Sequence, residues 1–147
     1  MSLAERLSDD LKQAMKNRDK LRTSVIRMVR SALKNREIET GAPLTEDDVL
    51  AVLQKEVKQR KDSLESFKAA GRTDLAEQAE AEIAVLGEYL PKPLDEAELK
   101  ALAVEVIREV GAASKADMGK VMGQLMPQIR GRADGKTAQR IVQELLS

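Results

Sequence analysis

A chain of 147 residues can bury one hydrophobic core of ordinary size or two small ones. It has no Cys and no His, which excludes disulfides, zinc sites built on those ligands, imidazole acid–base catalysis and cysteine nucleophiles. Its 25 basic and 25 acidic residues cancel, and one Phe, one Tyr and no Trp leave almost nothing on which to stack nucleobases, so aromatic-rich single-strand readers are excluded too.

Leu3, Leu7, Leu11, Ala14 and Met15 recur at three- and four-residue steps, which predicts a first helix from after Ser2 to about Lys16. Its leading stretch, MSLAERLSDDLKQ, is amphipathic and acidic where a signal peptide would be basic and then apolar. No apolar run approaches the roughly 20 residues of a membrane span. The expected location is therefore the cytoplasm, with no membrane association. A second helix follows Asn17 and Arg18, with Leu21, Val25, Met28, Val29 and Ala32 inward. The same rotation of about 100° per residue gathers Lys20, Arg27, Arg30 and Lys34 into an opposite sector about 80° wide. Gly41-Ala42-Pro43 ends it, and Thr45 with Asp48 forms a capping box for a third helix. Val49, Val52, Leu53, Val57, Leu64 and Phe67 carry that helix to Gly71 at its C-terminal end. Thr73 or Asp74 caps a fourth, with Leu75, Ala79, Ile83 and Leu86 inward.

Charge is distributed unevenly. Between Lys12 and Arg36 stand nine Lys or Arg against the single acid Asp19, whereas Thr73 to Tyr89 holds five acids (Asp74, Glu77, Glu80, Glu82, Glu88) and no base. The segment EYLPKPLDEAEL then marks a boundary, because two prolines in three residues stop a helix and stiffen the chain.

Beyond it, Asp95 caps a fifth helix through Leu99, Leu102, Val106, Ile107 and Val110, closed by Gly111. Ser114 with Asp117 forms a further capping box. A sixth helix turns Met118, Val121, Met122, Leu125, Met126 and Ile129 inward, with a kink or break at Pro127. A seventh runs from about Asp134 through Ala138, Ile141, Val142, Leu145 and Leu146. No stretch alternates as a strand would. The expected fold is all-α, with an N-terminal bundle of about four helices (residues 1–90, containing the basic hairpin) and a small three-helix C-terminal domain (residues 95–147).

Residues 131–137, GRADGKT, end like a phosphate-binding P-loop. That loop needs four residues between its glycines, and only Arg132, Ala133 and Asp134 separate Gly131 from Gly135. A P-loop also follows a strand, and KVMGQLMPQI has helical spacing instead. A tight helix-to-helix turn accounts for the segment: Gly131 in a left-handed conformation, Asp134 as cap, Gly135 for close approach. Gly119 and Gly123 are expected on the flank of the apolar stripe, where a neighbouring backbone can come near. The methionines at 118, 122 and 126 are expected to fill the core. The turn nonetheless concentrates Arg130, Arg132, Lys136 and Arg140, and the amides opening the last helix favour an anion, so a backbone phosphate is the alternative reading.

The run GKVMGQLMPQIRGRADGKTAQRIVQELL, from Gly119 to Leu146, resembles the signature of the tail domain of the B subunit of glutamyl/aspartyl-tRNA amidotransferases. Matching positions are Gly119, Val121, Met122, Gly123, Gly131, Arg132, Ala133, Asp134 and Gly135. Over its whole length, beginning with the basic hairpin, the chain is similar to the stand-alone YqeY family. The resemblance implies an all-helical protein in two parts, and a tail domain that contacts the tRNA body while glutamine hydrolysis and ATP-dependent transfer occur elsewhere. The cradle domain that performs the transfer has no counterpart here.

Two functions from different classes follow. The first is a non-catalytic RNA-binding accessory module, for tRNA above all, holding phosphates with Lys20, Arg27, Arg30, Lys34, Arg130, Arg132, Lys136 and Arg140. The second is a protein-interaction or scaffold module, whose basic hairpin pairs with a partner in translation or the amidotransferase machinery, or with the acidic helix 74–88 of another copy. Enzymatic activity as a glutamine-dependent carbon–nitrogen ligase comes by family association alone. No activated nucleophile and no phosphate or metal site is recognisable, so no catalytic residue, cofactor or metal is expected.

Overall fold

The computed structural model of the chain describes residues 1–147. Local capping chemistry sets most helix ends. The Ser2 hydroxyl accepts from the Glu5 N–H at 3.1 Å and opens α1, Leu3–Lys16. Asp19 accepts from the Arg22 N–H at 3.0 Å and opens α2, Lys20–Thr40, which stops at Gly41 in the left-handed region, φ 68°. Thr45 and Asp48 exchange their capping-box bonds at 3.1 and 2.9 Å at the start of α3, Glu46–Ala69. Gly71, φ 71°, turns the chain into α4, Thr73–Gly87. Here the expected cap is absent: Thr73 is already helical, and the Asp74 carboxylate binds Arg72 at 3.1 Å.

These four helices, with the chain as far as Pro91, make the first of two compact units. Its core is formed by Leu7, Leu11, Val25, Ile26, Val29, Leu33, Val49, Leu53, Val85, Leu86 and Tyr89. Each fully buried Leu or Ile in it contributes about 1.5–3 kcal/mol. The inward face of α2 differs from the expected one, since Ile26 and Leu33 are buried while Met28 is half exposed and Ala32 half buried. The reason is that α2 packs against α1, α3 and α4 together, so its buried arc is turned toward the residues that reach all three. On α3, Val52, Val57, Leu64 and Phe67 are only half buried, and Arg60 is buried instead.

The second unit spans Lys92–Ser147. Asp95 accepts from the Glu98 N–H at 2.7 Å and opens α5, Glu96–Val110; Gly111, φ 68°, closes it. A single 3-10 turn, Lys115–Asp117, is held by the Asp117 carboxylate, which accepts from the Ala113 N–H at 2.9 Å. It leads into α6, Met118–Ile129, and then α7, Gly135–Leu145. Pro127 lies inside α6 and does not break it; the helix runs two residues further, because a proline in the last turn forfeits only one bond. Leu99, Ala103, Val106, Val121, Leu125, Ile129, Ala138, Ile141, Val142 and Leu146 form the core, with Met118, Met122 and Met126 packed around it. All seven α-helices lie where the periodicity places them, and the all-α expectation holds.

Candidate nucleic-acid interface

The sequence-derived basic stripe of α2 survives the rotation of its core face. Lys20, Arg27, Arg30 and Lys34 are all exposed, spread over about 21 Å of helix axis at 1.5 Å per residue. No carboxylate pairs with any of them; the one contact of the Arg27 guanidinium is the Met15 thioether, at 3.8 Å. Lys12, Lys16 and Arg18 extend the same positive charge from α1 through its turn, and they too are exposed.

The acids of α4 stand in contrast, because the first unit uses them internally. Glu82 meets Arg60 at 3.2 Å and Glu88 meets Arg22 at 2.6 Å. Glu80 meets Lys68 at 3.7 Å and Asp74 meets Arg72 at 3.1 Å. The hydrogen bond from Arg22 holds the Glu88 carboxyl below its ordinary range, and the bond from Arg72 does the same for Asp74. Of the five acids in that block, Glu77 alone is outside an ion pair.

In the second unit, Arg130, Lys136 and Arg140 are exposed and Arg132 is half buried. Arg132 and Arg140 have architectural work. The Arg132 Nε donates to the Lys92 carbonyl at 3.1 Å, and the Arg132 carbonyl accepts from the Leu94 N–H at 2.9 Å, so this residue fastens the start of the unit to the glycine-rich turn. Arg140 pairs with Glu96 and, at 3.2 Å, with Glu144. Gly131 is buried with φ 79°, and the N–H groups of Arg132 and Ala133 both return to the Ile129 carbonyl, at 2.8 and 3.0 Å. Asp134 stands at the start of α7, but its carboxylate makes no capping bond and accepts instead from the Thr137 hydroxyl at 3.4 Å. At Gly135 a Cβ would lie 3.4 Å from the Met126 methyl, an ordinary contact with the end of a flexible side chain, so no close backbone approach requires glycine there.

Gly119 and Gly123 correct the expectation of a close backbone approach. Both are exposed, and a Cβ added at either would meet nothing within 4 Å. Their motif neighbours do pack: Val121 is fully buried, while Met122 and Ala133 are half buried against the core.

One polar cluster went unread in the sequence. Tyr89 is 4% exposed and donates its hydroxyl to Asp10, while the Arg6 guanidinium lies 4.6 Å above its ring and donates to the Glu88 carbonyl at 3.0 Å. With Arg22 and Glu88, these residues line a cavity of about 260 Å³. A lone Tyr beside two prolines gives no periodic signal, so nothing local marks it. No group of carboxylates in the chain could hold a metal ion, and no helix is long and apolar enough to cross a membrane.

A family model described as Yqey-like protein matches residues 4–146. Among curated proteins, Altered inheritance of mitochondria protein 41, mitochondrial, of Pyrenophora tritici-repentis is 34% identical over 148 residues, covering 96% of this chain and 79% of that protein. The protein of the same name in Lachancea thermotolerans is 39% identical over 107 residues, 71% of this chain and 57% of its own length. An uncharacterized protein of Schizosaccharomyces pombe is 39% identical over 83 residues, 56% of this chain and 67% of that protein. The alignments thus leave a fifth to nearly half of these relatives unmatched. The mitochondrial names overturn the expectation of a cytoplasmic protein. Lack of a membrane span and an acidic first helix do not distinguish one aqueous compartment from another.

Proposed function

The chain belongs to the YqeY-like family, and from that membership and its surface charge we propose that it is a non-catalytic RNA-binding accessory module whose RNA is tRNA. The observation that carries this is the contrast between α2 and α4. Lys20, Arg27, Arg30 and Lys34 face solvent with no carboxylate partner, while four of the five acids that could neutralise them from a second copy are engaged within their own unit. A stripe of unpaired cations gains by releasing the counterions condensed on a phosphate backbone. Without aromatic platforms along it, the stripe holds RNA through its phosphates and shape. The likeness of Gly119–Gly135 to the tail domain of tRNA-dependent amidotransferases supports tRNA as the RNA. An organelle with its own translation, as the relatives' names indicate, is a setting in which such a module has work.

Within the second unit, Lys136 is the better candidate for an auxiliary phosphate contact, because Arg132 and Arg140 already serve the fold. Binding rather than chemistry is what these residues support. Fluorescence anisotropy of labelled tRNA, at several salt concentrations and against duplex DNA competitor, tests the proposal. Affinity in the micromolar range or tighter, falling steeply with salt, is expected, and Arg27→Glu with Arg30→Glu weakens it by about 100-fold as two phosphate contacts turn repulsive. Unchanged affinity in that double variant would falsify the assignment of the α2 face.

A further inference from the structure

Beside the basic stripe, the end of α1 and the start of α2 border an open groove of about 640 Å³, lined by Met15, Arg18, Lys20, Thr23, Arg27 and Met28 together with Ser24 and Asp19. Two features make it unlike the rest of the surface. Its apolar lining comes from Met15 and Met28, which are 52% and 48% exposed in a chain with few other such residues, the Met28 sulfur also accepting from the Arg60 guanidinium at 3.4 Å. Its charged lining is effectively of one sign, since the single acid, Asp19, is taken up by the Arg22 N–H at 3.0 Å and the Arg22 guanidinium at 3.5 Å.

Resting on the RNA reading above, we infer that this groove receives an unpaired nucleobase from the RNA held along α2, so that the RNA recognised is one with an extruded base rather than a perfect duplex. Unpaired bases stack on arginine planes as well as on aromatic rings, and the Arg27 guanidinium is available for this. It has no carboxylate to bind, and the Met15 sulfur 3.8 Å away is its contact. Thioethers add favourable contact with aromatic faces and adapt to any base. Thr23 and Ser24 make no side-chain hydrogen bond that would occupy their hydroxyls, leaving donors and acceptors in the groove for a base edge. Arg18 and Lys20 supply charge for the phosphates on either side of the displaced nucleotide. An aliphatic protein side chain would use the thioethers but neither the hydroxyls nor the guanidinium plane.

Three labelled RNAs decide the matter, read by anisotropy with the full chain: a blunt duplex, the same duplex with one bulged adenosine, and the same bulge with an abasic residue. The bulged adenosine is expected to bind about tenfold tighter than the abasic bulge, the gain typical of stacking one base. In the Met15→Ala, Met28→Ala variant that difference disappears while the salt dependence stays; Met15→Gln with Met28→Gln, which keeps side-chain length, gives the same result. Equal affinity for adenosine and abasic bulges overturns the base assignment alone, leaves the stripe standing, and points to a protein side chain as the occupant. A preference that survives both methionine variants places the base elsewhere and also overturns it. Absence of binding to all three RNAs at low salt overturns the stripe and the groove together.

Discussion

Tyr89 shows how much of this protein depends on single side chains whose partners are far away in sequence. Burial raises its hydroxyl pKa well above the ordinary value of 10.0, and the hydrogen bond to Asp10 pushes it in the same direction. The neutral phenol is the form the fold accepts. In the unfolded chain Tyr89 loses its proton near pH 10, whereas the folded chain keeps it, so the native state binds more protons above that pH and stability must fall as pH rises from there. Because Tyr89 is the only tyrosine, its ultraviolet spectrum reports one group. Tyrosinate absorption is expected to appear together with loss of helical circular dichroism rather than at pH 10, and Tyr89→Phe should flatten the alkaline decline. A free titration at pH 10 in the folded protein would contradict this. Arg60 teaches the same lesson from the opposite side. A basic residue on α3 looks like a surface residue in the sequence, yet it is 7% exposed and bound by Glu56 at 2.7 Å and Glu82 at 3.2 Å. Glu56, one turn away, is legible from the sequence; Glu82, on another helix, is not.

At the scale of the element, most helix ends were legible, the caps of α4 and α7 excepted, and helix faces only partly so. Ser2, Thr45 with Asp48, and Asp95 cap where the pattern places them, and Gly41, Gly71, Gly111 and Gly131 take the left-handed conformation that ends a helix or turns a chain. These are interactions within a few residues, so local sequence carries them. Which side of a helix faces inward depends on how many neighbours it has. A single apolar stripe suffices for α7, where Ala138, Ile141 and Val142 are buried as expected, but not for α2, which exchanges Met28 for Ile26. Gly119 and Gly123 depart from the expectation for a related reason: their spacing suits close packing, yet α6 turns them to solvent. An exposed glycine inside a helix costs about 0.5–1 kcal/mol relative to alanine. Gly123→Ala is therefore expected to stabilise the protein by about that amount in urea denaturation, with Gly119→Ala, near the helix start, giving less. If Gly123→Ala were instead destabilising, the glycine would be needed for internal packing, and its place in the family motif would be architectural.

At the scale of the whole molecule, zero net charge conceals an arrangement in which the acidic block of residues 74–88 is largely paired within its own unit while the cations of the α2 stripe have no carboxylate partner. The basic block was legible because helical periodicity alone places Lys20, Arg27, Arg30 and Lys34 on one side. That the acidic block would be consumed was not, since three of its pairs, Glu82 with Arg60, Glu80 with Lys68 and Glu88 with Arg22, join different helices. The two units have separate cores, so the charge argument predicts where binding resides. A fragment of residues 1–91 carries the whole α2 stripe and the methionine groove, whereas in residues 92–147 Arg132 and Arg140 are built into the fold's own polar contacts. The first fragment has enough core to fold alone, while the second, at the lower limit for an independent domain, is expected to be marginal. Circular dichroism melts of each fragment establish folding first. Given a folded 1–91, its tRNA affinity should stay within about tenfold of the full chain, because most neutralised phosphates lie on it, and its log-log salt slope should be about −3 for four contacts at 0.7 to 0.9 each. A folded 1–91 that does not bind, beside a full chain that does, would move the interface to the glycine-rich turn of the second unit and make the α2 stripe an ordinary solvated helix face.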